Sequence, residues 1–168
     1  MKTLISGLGI LGLAASGAAM LSAPAFAQSE YRQQISNNMR QCAPGQGPAV
    51  RVTLRGVKNA SGKVRIQVYR GTREDWLESG RYLNRIEVPA RRGTMTFCLP
   101  VPASGSYAIA ARHDVNGNNE TDIRQDGGAM SNNPSINIFN LGRPSVSKTR
   151  FNAGSGVSAI SMQMRYFG

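Results

Sequence analysis

The sequence predicts an all-β domain, an antiparallel β-sandwich with one long polar loop, on three observations. Between Ala49 and Tyr166 apolar and polar residues alternate in several short runs, the period-two signature of strands that bury one face. Clusters of Gly, Pro, Asn and Ser separate these runs at short intervals, as sandwich connections do. The chain that remains after a predicted signal peptide has about 140 residues, one domain's worth and enough for a two-layer core.

The signal peptide is read from the first 27 residues. Lys2 supplies a positive start, Leu4 to Leu21 carry no charge, and Ala25-Phe26-Ala27 forms a small-x-small cleavage site before Gln28. The apolar stretch is short, interrupted by Gly and followed by Pro24, which argues against a retained membrane anchor. No Cys stands at the cleavage point and no later stretch is apolar enough to span a bilayer. The expected location is therefore beyond the inner membrane, in the periplasm or outside the cell, with no membrane span in the mature protein.

Residues 28–48 form a polar lead, with Gln33, Gln34, Asn37 and Asn38 ahead of Pro44-Gly45-Gln46-Gly47-Pro48. The expectation here is a loose or briefly helical segment and a linker. The sandwich domain then covers 49–168. Val50, Val52 and Leu54 alternate with Arg51, Thr53 and Arg55, and Val64, Ile66 and Val68 alternate with Arg65, Gln67 and Tyr69. With Lys58-Asn59-Ala60-Ser61-Gly62 between them, the two runs predict a hairpin. Thr72 to Arg85 breaks the alternation and predicts a short helix or an excursion loop, with Trp76 packed over a sheet edge. Short strands are expected around Ile86–Pro89, through Met95, Phe97 and Leu99, and through Tyr107, Ile109 and Ala111. Residues 114–145 are dense in Asn, Gly, Ser and Pro, an irregular length that signals function or disorder. A strand around Phe151, a turn at Gly154-Ser155-Gly156 and a last strand through Ile160, Met162, Met164 and Tyr166 close the chain as a second hairpin.

From about Ala49 to Tyr166 the chain resembles a bacterial family catalogued as domain of unknown function 2141. The resemblance rests on Gly105-Ser106-Tyr107-Ala108-Ile109-Ala110, His113-Asp114-Val115-Asn116-Gly117-Asn118, Ser131-Asn132-Asn133, and Gly142-Arg143-Pro144-Ser145 leading into Phe151. It implies a secreted single-domain sandwich of immunoglobulin or transthyretin type and carries no activity with it. One departure is visible. Gly127-Gly128-Ala129-Met130 stands where the family usually has a longer segment with Pro-Thr-Glu and aromatic residues.

Cys42 and Cys98 are the two cysteines. In an oxidising compartment they are expected to pair, closing a long loop, with two separate thiols as the alternative. No CxxC or Cys/His cluster suggests zinc or thiol redox chemistry. The net charge of +11 falls only by Lys2 on cleavage. Arg51, Arg55, Arg65, Arg112 and Arg165 fall on the polar side of their strands. On one shared sheet they would form a stripe for anionic envelope material; the alternative is an ordinary solvated face. Nucleic acid is disfavoured as a partner by compartment.

One stretch has the spacing of an ion site. Asp114-Val115-Asn116-Gly117-Asn118-Asn119-Glu120-Thr121-Asp122 fits the alternating Asp/Asn pattern of a calcium loop. Asp114, Asn116, Asn118 and Asp122 would be the side-chain ligands, with a backbone carbonyl near Glu120. Asn119 occupies the position that wants a left-handed residue, and Gln125 stands where a complete hand has Glu. Such a loop would hold Ca2+ weakly, at ~10⁻⁴ to 10⁻³ M. The alternative is a metal-free loop of Asx turns, with Asn116-Gly117 as a type I′ turn. The expectation is a non-enzymatic binding module with a weak calcium site in the 114–126 loop and no catalytic residues; an enzyme using His113 is the alternative. His113 is the single histidine, its neighbour Asp114 points to the opposite face of a strand, and no Gly-x-Ser-x-Gly elbow is present.

Overall fold

The computed structural model describes residues 30–137, 140 and 142–167. The expected signal peptide, residues 1–27, lies outside the described residues. Ten strands form two sheets: β1 (Gln33–Gln34), β2 (Ala49–Val57), β3 (Lys63–Arg70), β4 (Asn84–Pro89), β5 (Gly93–Pro100), β6 (Gly105–Asp114), β7 (Gly127–Met130), β8 (Phe151–Ala153), β9 (Val157–Gln163) and β10 (Arg165–Tyr166). The larger sheet runs β1-β4-β3-β6-β7-β10, with β8 also on β6, and the smaller runs β5-β2-β9.

The alternation predicts the strands well because each has one face against the other sheet. Val50, Val52 and Leu54 of β2, Val64, Ile66 and Val68 of β3, Phe97 and Leu99 of β5, and Ile109 of β6 are all fully buried in one core. Burying a Val, Leu, Ile or Phe side chain is worth roughly 1.5–3 kcal/mol, so this row of inward residues fixes which face of every strand turns in.

The pairing differs from the expectation in two respects. The sheets are mixed: β2 and β9 run parallel from Ala49↔Val157 to Arg55↔Gln163, and β1 runs parallel to β4. Neither expected hairpin forms. β2 pairs with β5 and β9, whereas β3 pairs with β4 and β6, so residues 58–62 arch from one sheet to the other. Likewise β8 pairs with β6 and β9 with β2, so Gly154-Ser155-Gly156 also crosses the sandwich. Period-two alternation is the same for a hairpin and for an arch between two sheets that share a core; the partner strand decides. The first arch requires Gly62, at φ +68°, where a Cβ would lie 1.9 Å from the Asp114 carbonyl oxygen. The run through Ile160, Met162, Met164 and Tyr166 is divided too, because β10 leaves the smaller sheet to pair with β7.

The polar lead is fastened at several points. A one-turn 3₁₀ helix at Met39–Cys42 ends on the Cys42–Cys98 disulfide. The Asn37 amide donates to the Thr96 carbonyl at 2.9 Å and its oxygen accepts from Cys98 N at 3.0 Å. Asn133 does the same on the opposite edge, donating to the Ser161 carbonyl and accepting from Gln163 N. Two side-chain amides thus occupy the open edges of the smaller sheet, where an exposed row of N–H and C=O groups would invite another strand.

A second apolar cluster covers the outer face of the larger sheet. The excursion after β3 has no regular helix; it lays Trp76 edge-on against Tyr69 at 5.5 Å between ring centroids. The indole N–H donates to the Pro144 carbonyl at 2.7 Å, so Gly142-Arg143-Pro144-Ser145 serves as the lid over Trp76. Ser131 is buried and ties three segments: its hydroxyl donates to the Thr149 carbonyl at 2.6 Å and accepts from Ile109 N at 2.9 Å. A short helix, α1 (Val146–Thr149), follows the lid and leads into β8.

Candidate ligand-binding site on the outer face of the larger sheet

Cross-strand register places one row of outward residues across five strands. Glu87 of β4 faces Arg65 of β3, Arg65 faces Arg112 of β6, Arg112 faces Gly128 of β7, and Gly128 faces Arg165 of β10. Directly opposed like charges destabilise a sheet, so Arg65 and Arg112 need support. Arg65 Nε donates to Glu87 at 2.6 Å. Glu87 is shared by Lys63 at 3.3 Å and Arg85 at 3.6 Å. Burial pushes the Glu87 carboxyl upward, but its bonds to Arg65 and Lys63 and their charge outweigh this and hold it below the usual range.

Arg112 is held differently. Its Nη1 donates to Thr121 Oγ1 and its Nη2 to the Asn119 carbonyl, both at 2.8 Å, and Asp114 Oδ2 lies 3.7 Å away. Its Nε is buried with no hydrogen-bond partner among the described residues. Burial, and then the facing Arg65, lower its pKa. This guanidinium stands where positive charge is under-compensated.

Beside this row lies a concave cavity of about 570 Å³, within the size range of roughly 300–1,000 Å³ typical of small-molecule sites. Ala110, Gly128 and Met130 of the sheet line it together with Leu77, Ile136, Ile123 and Phe167. Arg65, Arg112 and Arg143 reach its rim. Gly128 keeps the floor low: a Cβ there would meet only Ile136 Cδ1, at 3.9 Å. Ile123 and Phe167 are 64% and 45% exposed, two of three large apolar side chains so exposed among the described residues. Gathered at one cavity, they mark a surface suited to contact.

The arginines expected to share one face are divided. Arg65, Arg112 and Arg165 stand in the row above, while Arg51 and Arg55 lie on β2 in the smaller sheet. Arg51 Nη2 donates to the Cys42 carbonyl, a structural contact. Parity placed each residue on its outer face, but the sandwich has two outer faces and the sequence does not assign strands between them.

The Asp/Asn loop sits at one end of the cavity. Asp114 is fully buried, accepting from Gly117 N at 2.8 Å and Asn119 N at 2.9 Å. Asn116 and Asn118 accept from Asn118 N and Glu120 N, and both amides donate to Asp122 Oδ2, at 2.7 and 3.0 Å. Asp126 accepts from Val115 N and Asp122 N at 3.0 and 3.1 Å. Asn119 takes φ 69°, as its position requires; Gly117 also has positive φ but Asn116 does not, so the turn is a chain of Asx turns and not type I′. Lys63 and Arg65 both donate to Asn119 Oδ1. Glu120 is exposed at the loop tip. Among the described residues no three His, Cys, Asp or Glu side chains gather as a metal-binding group.

His113 points inward, opposite to Asp114, and is fully buried. Nε2 lies 2.8 Å from the Ser61 carbonyl, which requires that nitrogen to donate. Nδ1 lies 2.7 Å from the Tyr166 hydroxyl and accepts from it when the ring is neutral, and Tyr166 Oη accepts from Lys58 N at 3.0 Å. Burial raises the Tyr166 pKa. The chain Lys58–Tyr166–His113–Ser61 joins the arch after β2 to β6 and β10, with both ring nitrogens used.

Leu77, Gly128, Ile136, Arg143 and Phe167 were not singled out from the sequence as site residues. They come from four separate segments, and no linear spacing connects them. The one available signal was Ile123, an isolated apolar residue between polar neighbours.

Fold and cavity together define a class, the small two-sheet β-sandwich with a concave site on one outer face. Within that class the chain belongs to the family described as uncharacterized proteins conserved in bacteria (DUF2141), whose profile matches residues 52–161. That stretch runs from β2 into β9 and so contains strands of both sheets. No curated protein and no solved structure matches the chain.

Proposed function

We propose that this protein is an exported, non-enzymatic binding module that recognises anionic groups of the cell envelope through Arg65, Arg112 and Arg165 on the outer face of its larger sheet. The observation that carries this reading is the direct opposition of Arg65 and Arg112, with the Arg112 Nε buried and unpartnered. A phosphate or carboxylate against this pair would relieve their repulsion and accept charge-assisted bonds from planar guanidinium groups. The signal peptide predicted from residues 1–27 and the Cys42–Cys98 disulfide support a location beyond the inner membrane. His113 is engaged at both nitrogens within the core, which supports a structural role for it.

Elution from phosphocellulose tests the reading by comparing two variants of equal charge. Arg112→Gln with Arg165→Gln is expected to elute at clearly lower salt than the parent, and Arg51→Gln with Arg55→Gln to elute close to it. Equal shifts for both pairs would reduce the row to general basicity, which screening by salt removes regardless of position.

For the Asp/Asn loop we propose the metal-free state. Three cations, Lys63, Arg65 and Arg112, already reach it, and the Asn116 and Asn118 amides are committed to Asp122. A calcium ion would have to turn both amides over beside this positive charge. Unfolding midpoints in millimolar calcium, in magnesium and in EDTA are expected to coincide. Millimolar calcium at about one to ten times the expected dissociation constant would add roughly 0.4–1.4 kcal/mol, so a calcium-specific rise lost in Asp114→Ala would reverse this assignment.

A further inference from the structure

We infer that the cavity over the larger sheet takes an amphipathic organic acid, a single anionic head on an apolar body. The inference deepens the proposed function, on which its anionic half rests. The cavity is two-sided in chemistry. Its floor and walls are built by Ala110, Met130, Leu77 and Ile136, with Ile123 and Phe167 exposed at the edge. Its polar rim carries Arg65, Arg112 and Arg143 against one carboxylate, Asp126. Asp126 is engaged within its own loop, its two oxygens accepting from Val115 N and Asp122 N. Each arginine has a carboxylate nearby, Arg65 with Glu87, Arg112 with Asp114 and Arg143 with Glu78. Yet cations outnumber carboxylates three to one among the lining residues, and the buried Arg112 Nε has no hydrogen-bond partner among the described residues.

A purely polar anion would leave the apolar walls and the exposed Ile123 and Phe167 in water. A neutral apolar ligand would cover them but bring nothing to Arg112. An amphipathic acid satisfies both, its body covering the apolar walls and its head reaching the guanidinium groups. Apolar burial then supplies affinity, and a charge-assisted bond supplies orientation. Gly128 leaves open the floor space that any larger side chain would fill.

The test uses the full exported chain in oxidised form with anilinonaphthalene sulfonate, a fluorescent amphipathic anion, displaced in turn by dodecanoate, dodecanol and inorganic phosphate. One saturable site is expected, with dodecanoate displacing the probe about tenfold better than dodecanol, as one charge-assisted hydrogen bond warrants. Phosphate alone should displace it poorly. Gly128→Leu, which fills the floor, should weaken dodecanoate at least ~10-fold by blocking the cavity, without lowering the unfolding midpoint. Arg112→Gln should erase the preference for dodecanoate over dodecanol. If that variant does not fold, Arg143→Gln, at an exposed rim position, should reduce the same preference.

Dodecanoate binding that ignores Gly128→Leu overturns the cavity as the site. Equal displacement by dodecanol and dodecanoate overturns the acid. Displacement by phosphate alone, with the phosphocellulose contrast intact, overturns this inference while the arginine row stands. Loss of that contrast as well removes the reading beneath it.

Discussion

Replacing both Cys42 and Cys98 by Ala is expected to lower the stability of this domain by about 4 kcal/mol and its Tm by roughly 8–16 °C. The bond closes a loop with a sequence separation of 56 residues, and the cost of opening it lies mainly in the freedom returned to the unfolded chain. Native contacts add to the effect. Both cysteines are fully buried with Ala49, and the lead that the bond anchors also supplies Asn37 to the edge of β5 and β1 to the edge of β4. Calorimetry of the double variant beside the parent with and without reductant checks this. The reduced parent and the variant should melt together, well below the oxidised parent. A variant that melts with the oxidised parent would show that the lead is held by its hydrogen bonds alone.

His113→Ala is expected to destabilise the domain by about 3–5 kcal/mol, as a buried large-to-small change that also strands polar partners does. The Ser61 carbonyl and the Tyr166 hydroxyl each lose their bond to the ring, and the substitution leaves a void between β6, β10 and the arch after β2. Tyr166 in turn holds Lys58 N, so the arch should loosen with it. Urea unfolding gives the magnitude. Dodecanoate or phosphocellulose binding measured on the folded fraction should be unchanged, because His113 faces the core and the arginine row faces out. A histidine whose removal abolished binding while leaving the urea midpoint in place would belong to a functional site and not to the frame.

Much of this protein is legible along the chain. The inward residues of β2, β3, β5 and β6 follow from alternation alone, because burial of one face dictates a period of two whatever the partner strand. Cys42 and Cys98 suggest a bond by number and by the predicted compartment, and the structure brings them together. The opposition of His113 and Asp114 follows from strand geometry, and Asn119 announces its left-handed turn because short Asx side chains tolerate it.

The connections were not legible in the same way. Lys58–Gly62 and Gly154–Gly156 have the composition of hairpin turns, yet both cross between sheets. Turn chemistry specifies a reversal, while which sheet receives the next strand depends on competition among all strands for one core. The site was legible only in fragments for a related reason. Arg65 and Arg112 could be assigned to outer faces but not to each other, and Arg51 and Arg55 not to the opposite side of the sandwich. Gly128, Leu77, Ile136 and Phe167 carry no signal that joins them, since a cavity is a property of surfaces brought together from distant segments.

By itself, then, the sequence determined the all-β class and the core faces, each dictated by local periodicity, and made the disulfide an expectation that only the fold could complete. Only the tertiary structure decided the sheet memberships, the row from Glu87 to Arg165 and the cavity beside it, because each depends on cross-strand register, which follows from the global packing of the two sheets and from no single stretch of chain.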